Sequence, residues 1–277
     1  MSGPGLVTPR ATSRLTGERP VPGATPDSLL ALHAAGYREV AARLGQGLVL
    51  DAGCGLGFES AGLMGPGRTV VGVDRDPGAA SEAFASFGRA GLRTSCTDAA
   101  RLGLRTGSFD YACSSHLVEH FDTPARHVAE LARVLKPGGT AFFLTPNAPW
   151  DYENPFHLVL FRPDHLRSLL IQHFHDVWVG ALDATERVKE DFANRRAKAA
   201  KVLGIADPLD LRHKVPRSWW IAVYSRALPL SYRVLARADS GGGTGISADD
   251  YFVTDEAGED TPVLFGIASW PRGHADP

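Results

Sequence analysis

Short apolar runs recur along the chain, GLVLD, TVVGVD, FDYACSS and TAFFLT first, FHDVWVG and PVLFGIASW later, with helical stretches between them. Strands that alternate with helices make a mostly parallel sheet with helices on both faces, so the expected fold class is α/β, a doubly wound sheet. Ahead of the first run, PDSLLALHAAGYREVAARLGQG sets Leu29, Leu30, Leu32, Tyr37, Val40 and Leu44 mostly at helical spacing. That helix is expected to begin near Asp27 as a cap and to stop at Gly45 or Gly47. From Asp183 to Ser247 the alternation breaks: VKEDFANRRAKAAKVL, a turn bearing Pro208 and SWWIAVYSRALPLSYRVLAR lead to a GGG hinge, which reads as a helical lid inserted before the last strand. The expected organisation is a flexible arm over 1–26, a core over 27–182, the inserted lid over 183–247, and a final strand with tail over 248–277.

Composition narrows the function classes. At 277 residues and 44% hydrophobic content the chain can form one enlarged domain with a large buried sheet. A net charge of -2 argues against a general nucleic-acid binder, which needs clustered basic charge. Cys54, Cys96 and Cys113 give neither a paired metal spacing nor an even disulfide framework, which points to a reducing, cytoplasmic setting. No secretory start and no run of apolar residues long enough to span a bilayer are visible. The first two dozen residues are rich in Pro, Gly and Arg, as a loosely draped arm would be. The segment from Asp183 to Ala238 carries twelve Lys or Arg against six Asp or Glu, an excess of about +6 against about -8 elsewhere.

The stretch VLDAGCGLGFES places Gly53, Gly55 and Gly57 at every second position after an apolar run and an aspartate. Glycine tolerates positive φ and lets backbone approach a ligand, yet costs entropy on ordering, so the spacing demands a tight turn or a bound group. In open parallel sheets that group sits outside the carboxyl ends of the strands, at the turn after the first strand. The nicotinamide fingerprint G-x-G-x-x-G is not met, because Phe58 stands where its third glycine belongs.

Asp51, Gly53, Gly55 and Gly57, followed by Asp74 at the end of TVVGVD, resemble the S-adenosylmethionine site of class I methyltransferases. SCTDAARL, with Asp98, and LARVLKPGGTAFFLTPN, with its Leu135 to Gly139 turn, add two further motifs in the family's order. The resemblance implies a seven-stranded Rossmann-like sheet and S-adenosyl-L-methionine as cofactor. It implies that Asp74 accepts the ribose hydroxyls and Asp98 meets the adenine amino group, with Arg75, Ala99 and Ser114 beside them. TGERPVPG, His33 and Tyr37 resemble methyltransferases of saccharide and polyketide pathways, in which an arm closes over the cofactor. On that resemblance Arg19 and Tyr37 are cofactor contacts; read as residues alone, they are equally a charged surface arm and a buried helix tyrosine.

Acceptor chemistry is expected after the fourth strand. In SSHLVEHF, His116, Glu119 and His120 fall within about one helical turn, with His116 and His120 on one face. The pattern is similar to E-x-x-E-H of ubiquinone-pathway O-methyltransferases, where acidic and histidine positions hold a divalent ion. Here His116 replaces the first carboxylate, so a neutral imidazole acting as base is preferred to a metal bound by His116, Glu119 and His120. Downstream, NPFH followed by Phe161 resembles N-P-F-H-x-x-E-F of the same group, with Leu160 in place of the glutamate. Asn147 and His157 are the candidates there to approach the acceptor, and Pro163 with Asp164 reads as a helix start.

The sequence thus reads as an S-adenosylmethionine-dependent methyltransferase acting on a hydroxyl of a saccharide, glycoconjugate or other small natural product. Two alternatives stay open, a carbon or nitrogen methyltransferase and a cofactor-binding regulatory protein without turnover. Trp219, Trp220, Tyr224 and Tyr232, interleaved with Arg217, Arg226 and Arg233, either pack on the core or form a basic aromatic face for a lipid-linked substrate or membrane surface.

Overall fold

The computed structural model describes residues 25–151, 154–207, 214–217, 219–223 and 245–273. The arm with Arg19, and most of the aromatic stretch including Tyr224, Arg226, Tyr232 and Arg233, lie outside the described residues. In chain order the elements are α1 (Asp27–Arg43), β1 (Gly47–Ala52), α2 (Phe58–Leu63), β2 (Arg68–Asp74), α3 (Pro77–Phe87), β3 (Arg93–Cys96) and β4 (Phe109–Ser115). They continue as α4 (Pro124–Val134), β5 (Leu135–Pro146), α5 (Pro163–Leu170), β6 (Phe174–Ala184), α6 (Glu186–Ala206), β7 (Tyr251–Thr254) and β8 (Val263–Pro271).

The strands form one sheet in the order β3-β2-β1-β4-β5-β8-β6-β7. β1 to β5 are mutually parallel, whereas β8 runs antiparallel to both β5 and β6, and β7 antiparallel to β6. The sheet therefore has eight strands, one more than the family resemblance implies. The additional strand is β7, four residues in which Tyr251 is buried and Phe252 exposed, too short for its alternation to stand out in sequence. The LKPGG turn lies within β5 as a bulge: Phe109 pairs with Leu135 and Tyr111 with Thr140, so residues 136–139 loop out.

Successive residues of the central strands feed two cores, one on each face. Leu50, Ala52, Ala141 and Phe143 pack with α4 and α5 through Val128, Leu131, Leu166 and Leu170. Val49, Phe142 and Leu144 pack with α1 through Leu32, Ala35 and Val40, and with Val188 of α6. This double covering is why the strands read as continuous apolar runs rather than alternating ones. Because β2 and β3 lie on one side of β1 and β4 on the other, the carboxyl ends of β1 and β4 diverge at a switch point, where open sheets of this type bind ligands.

The cations of α6 are tied to the core. Arg187 meets Asp250 at 2.9 Å, and Lys189 meets Asp183 at 3.2 Å and Asp260 at 2.8 Å. Part of the charge split seen in the sequence is thus complementarity between the inserted helix and the elements flanking it. Among the described residues no helix is long and apolar enough to cross a membrane.

Candidate active site

The glycine loop leaves β1 with all three glycines in the left-handed region, φ 79° at Gly53, 52° at Gly55 and 81° at Gly57. A Cβ at Gly57 would stand 2.9 Å from the Ala83 Cβ, so packing alone demands glycine there. At Gly55 a Cβ would meet nothing within 4 Å, which leaves its φ and the open space above the loop as the reasons for glycine. Gly53 and Cys54 donate their amides to the Val73 carbonyl, tying the loop to the end of β2.

Asp51 is fully buried and accepts hydrogen bonds from the hydroxyls of Tyr37 (3.0 Å) and Ser60 (2.5 Å). Burial pushes its carboxyl up to about 7, although both hydroxyl donors pull it down. Asp51 and Tyr37 are joined to each other and brace the loop from within the core. Asp74 stands at the rim: its Oδ2 accepts the Gly55 amide (3.0 Å) and its Oδ1 the Asp76 amide (2.8 Å). Arg75 is exposed beside it, and exposed Asp98, past the end of β3, accepts the Ala100 amide at 2.9 Å.

The Ser114 side chain and the Ala99 carbonyl are joined through a buried histidine. Buried His127 donates from Nδ1 to the Ala99 carbonyl (3.0 Å), so its Nε2 accepts from the Ser114 hydroxyl (2.8 Å). Strand alternation turns Ser114 into the core and leaves Ser115 on the opposite face, its hydroxyl buried without a partner among the described residues. Burial lowers His127 to about 4 and keeps it neutral, as the two-bond arrangement requires.

After β4 the chain does not enter the expected helix. His116 takes φ 49°, a left-handed conformation uncommon for a side-chain-bearing residue, with its amide bonded to the Leu144 carbonyl at 2.8 Å. A single 3₁₀ turn, Val118–His120, follows, and α4 starts only at Pro124. The shared helical face of His116 and His120 is therefore absent. The His116 ring rests on His33 of α1, centroids 4.4 Å apart, and its Nδ1 lies 3.7 Å from Oε1 of Glu119. His116 Nε2 and Glu119 Oε1 are both buried without a hydrogen-bond partner among the described residues. Burial, reinforced by the neighbouring imidazoles, holds His116 well below 6.5, and burial raises Glu119 to about 7. Thr145 donates to the other Glu119 oxygen at 3.0 Å.

The NPFH motif is a β-turn. His157 donates its amide to the Asn154 carbonyl (3.1 Å), Pro155 occupies the position that favours its fixed φ, and Asn154 Oδ1 accepts the Phe156 amide (3.0 Å). That bond orients the Asn154 amide so that its Nδ2 donates to His157 Nε2 (2.9 Å), while His157 Nδ1 bonds Asp151 at 2.6 Å. Burial opposes a proton on His157, but the bond to Asp151 and the charges of Glu119 and Asp151 raise its pKa. Protonation would need the Asn154 amide to turn. His157 therefore has no free nitrogen in this arrangement. Phe156 turns its carbonyl to His120 Nδ1 (3.0 Å), which leaves the lone pair of His120 on Nε2.

Asn147 is joined to this group through its backbone, its carbonyl accepting the amides of Trp150 (2.8 Å) and Asp151 (3.0 Å), and its buried Oδ1 has no hydrogen-bond partner among the described residues. Its Nδ2 donates to the carbonyls of Gly258 and Thr261 and pins the loop ahead of β8. Metal-ligating atoms converge within 4.8 Å in Glu119, His120 and His157, a set in which His157 stands where His116 was expected. Asn154 was visible as the first residue of NPFH and His33 through the resemblance of the arm, whereas Asp151 and Thr145 were assigned no role from the sequence.

Comparison with known proteins agrees with this geometry. A family model described as a methyltransferase domain matches residues 50–143, from the end of β1 to the middle of β5. A Mycolicibacterium smegmatis protein named "Probable S-adenosylmethionine-dependent methyltransferase" is 31% identical over 187 residues, covering 61% of this chain and 72% of that one. The chain belongs to the S-adenosylmethionine-dependent methyltransferases. A "Ubiquinone biosynthesis O-methyltransferase" of Thiobacillus denitrificans is 32% identical over 133 residues, 46% of this chain and 55% of that relative. The crystal structure of an S-adenosylmethionine-dependent methyltransferase from Thermotoga maritima shares the fold, with a TM-score of 0.55 over 87% of this chain and 90% of that one at 16% identity.

The methyltransferase uses S-adenosylmethionine as its cofactor, and the residues present fit it. Gly55 offers open space above the loop for close backbone approach, and Asp74 sets a carboxylate at the rim, of the kind that accepts ribose hydroxyls in such folds. Exposed Asp98 offers an acceptor at the adenine end.

Proposed function

We propose that this methyltransferase transfers the methyl group to a hydroxyl oxygen of a saccharide or other small-molecule acceptor, and that His116 takes the hydroxyl proton. The observation that carries the reading is the buried, unpartnered Nε2 of His116 at the end of β4, with Glu119 facing its other nitrogen. When bound, the cofactor supplies a methyl group already activated by its cationic sulfonium. The chain's residues align the acceptor, exclude water and accept one proton. Burial keeps His116 neutral at pH 7, so a lone pair is available, and ionised Glu119 favours the tautomer with hydrogen on Nδ1 and the lone pair on Nε2. As the oxygen–carbon bond forms and the sulfur–carbon bond breaks, the hydroxyl proton passes to Nε2 and the resulting imidazolium faces the Glu119 carboxylate.

The name of the Thiobacillus relative supports oxygen as acceptor atom, as does a base suited to a hydroxyl. A metal-assisted reading has one observation in its favour, the convergence of Glu119, His120 and His157. Chelation separates the two: turnover that survives a chelator supports the base, and turnover lost to a chelator and restored by a divalent ion supports the metal. A lipid-linked acceptor is the form of this proposal that Trp219, 69% exposed beside Arg217, supports. Sedimentation with anionic and neutral vesicles tests it, and binding to neither leaves a soluble acceptor.

A further inference from the structure

The inserted segment reaches the acceptor side of the site at two points. Arg196 of α6 donates to the Pro149 carbonyl at 3.0 Å, and Phe192 of the same helix meets Trp150 edge-on at 5.7 Å. Further along, Pro216 starts a helical turn in which its carbonyl accepts the amides of Trp219 and Trp220. From this turn Arg217 donates through Nε to the Pro155 carbonyl (2.8 Å) and through Nη2 to the His157 carbonyl (2.7 Å). The carbonyl between them, that of Phe156, turns the other way and takes the proton of His120 Nδ1.

We propose that Arg217 is a positioning residue for the acceptor-side histidines, fixing the tautomer of His120 and the place of His157 through the NPFH turn. The planar guanidinium offers two donors in a fixed fork, and its hold on carbonyls two residues apart sets the rotation of the peptide between them. That rotation aims the Phe156 carbonyl at His120 Nδ1, beside the His116 carbonyl that the ring also meets, and thereby biases which ring nitrogen keeps the lone pair. The same turn carries Asn154 and His157, whose rings and amides are locked to each other and to Asp151, so a shift of the turn moves the whole group. His120 and His157 stand edge to face, 4.9 Å between centroids, so the two imidazoles respond together. The inserted segment thus acts on the reaction through backbone carbonyls of the loop it covers. The inference rests on reading this face as the acceptor side.

The test is histidine-ring NMR on the full chain, labelled with nitrogen-15 and saturated with S-adenosylhomocysteine. In the wild type, His120 is expected as a single tautomer with hydrogen on Nδ1. Arg217→Ala should give a mixture with hydrogen on Nε2 and shift the His157 ring resonances at fixed pH, with affinity for S-adenosylhomocysteine unchanged. Arg217→Lys, which keeps the charge but loses the fork, should give an intermediate mixture and serves if the alanine variant folds poorly. An unaltered His120 tautomer in both variants would overturn the proposal. Ring tautomers are read without turnover, so this result is independent of whether His116 is the base: loss of activity in His116→Ala with normal His120 signals concerns that reading alone.

Discussion

At the scale of single residues, what a side chain can do here is set by which of its polar atoms are already engaged. Asp74 sets a carboxylate at the rim beside the glycine loop, so Asp74→Ala should remove charge-assisted bonds to the ribose and weaken S-adenosylmethionine binding roughly ten- to hundredfold, as titration calorimetry would show. Asp51, by contrast, is a matter of stability. Tyr37→Phe removes a donor to a buried carboxylate and should cost about 1–3 kcal/mol in denaturant unfolding, with little change in cofactor affinity. The Asp51 carboxyl has its folded pKa raised from 3.8 to about 7, so the folded protein holds a proton the unfolded chain has lost across that window. Its contribution to stability is therefore fully present below pH 3.8 and is lost as pH rises towards 7, and Asp51→Asn should flatten that part of the stability profile. For catalysis the sign is opposite. On the proposed mechanism an ionised Glu119, 3.7 Å from His116 Nδ1, favours the imidazolium electrostatically, so with Glu119 raised to about 7 the rate should climb through neutral pH and level off above it; a rate that falls over the same range would argue against the pair.

Individual elements show where sequence reasoning reached and where it stopped. The apolar runs announced most of the strands, and the glycine loop announced the end of β1, because burial on both faces and positive φ each select residue types strongly. β7 was not legible, since four residues beyond a long insertion do not establish a period. The helix expected from His116 was not formed, because the left-handed backbone at His116 stops helical propagation, a choice imposed by its amide bond to Leu144 rather than by local propensity. Of the candidate site residues, those on the glycine loop and the strand ends were visible by spacing. Asp151 was not, since it stands outside the NPFH motif and acts only through its bond to His157. The loop itself gives a prediction at this scale: Gly55→Ala places a Cβ at φ 52°, costing about 1–2 kcal/mol of stability, and fills the space the cofactor needs. Cofactor affinity should then fall by more than that strain accounts for; a loss confined to stability would show that nothing approaches Gly55.

For the whole molecule, the sheet brings the cofactor loop and the histidine cluster to one carboxyl edge, while α1, the loop after β5 and the inserted segment border the histidine cluster. The central claim is that this edge performs methyl transfer to oxygen with His116 as base. It is tested most directly by incubating wild type and His116→Ala with S-adenosylmethionine carrying a carbon-13 methyl group and a cell extract as acceptor pool, then reading the labelled products by NMR and mass spectrometry. The account predicts a labelled methoxy carbon formed by the wild type in the presence of a chelator, and about a hundredfold slower formation by His116→Ala at unchanged cofactor affinity. Label appearing on nitrogen or carbon, or methoxy formation that survives His116→Ala but is abolished by the chelator, would contradict it.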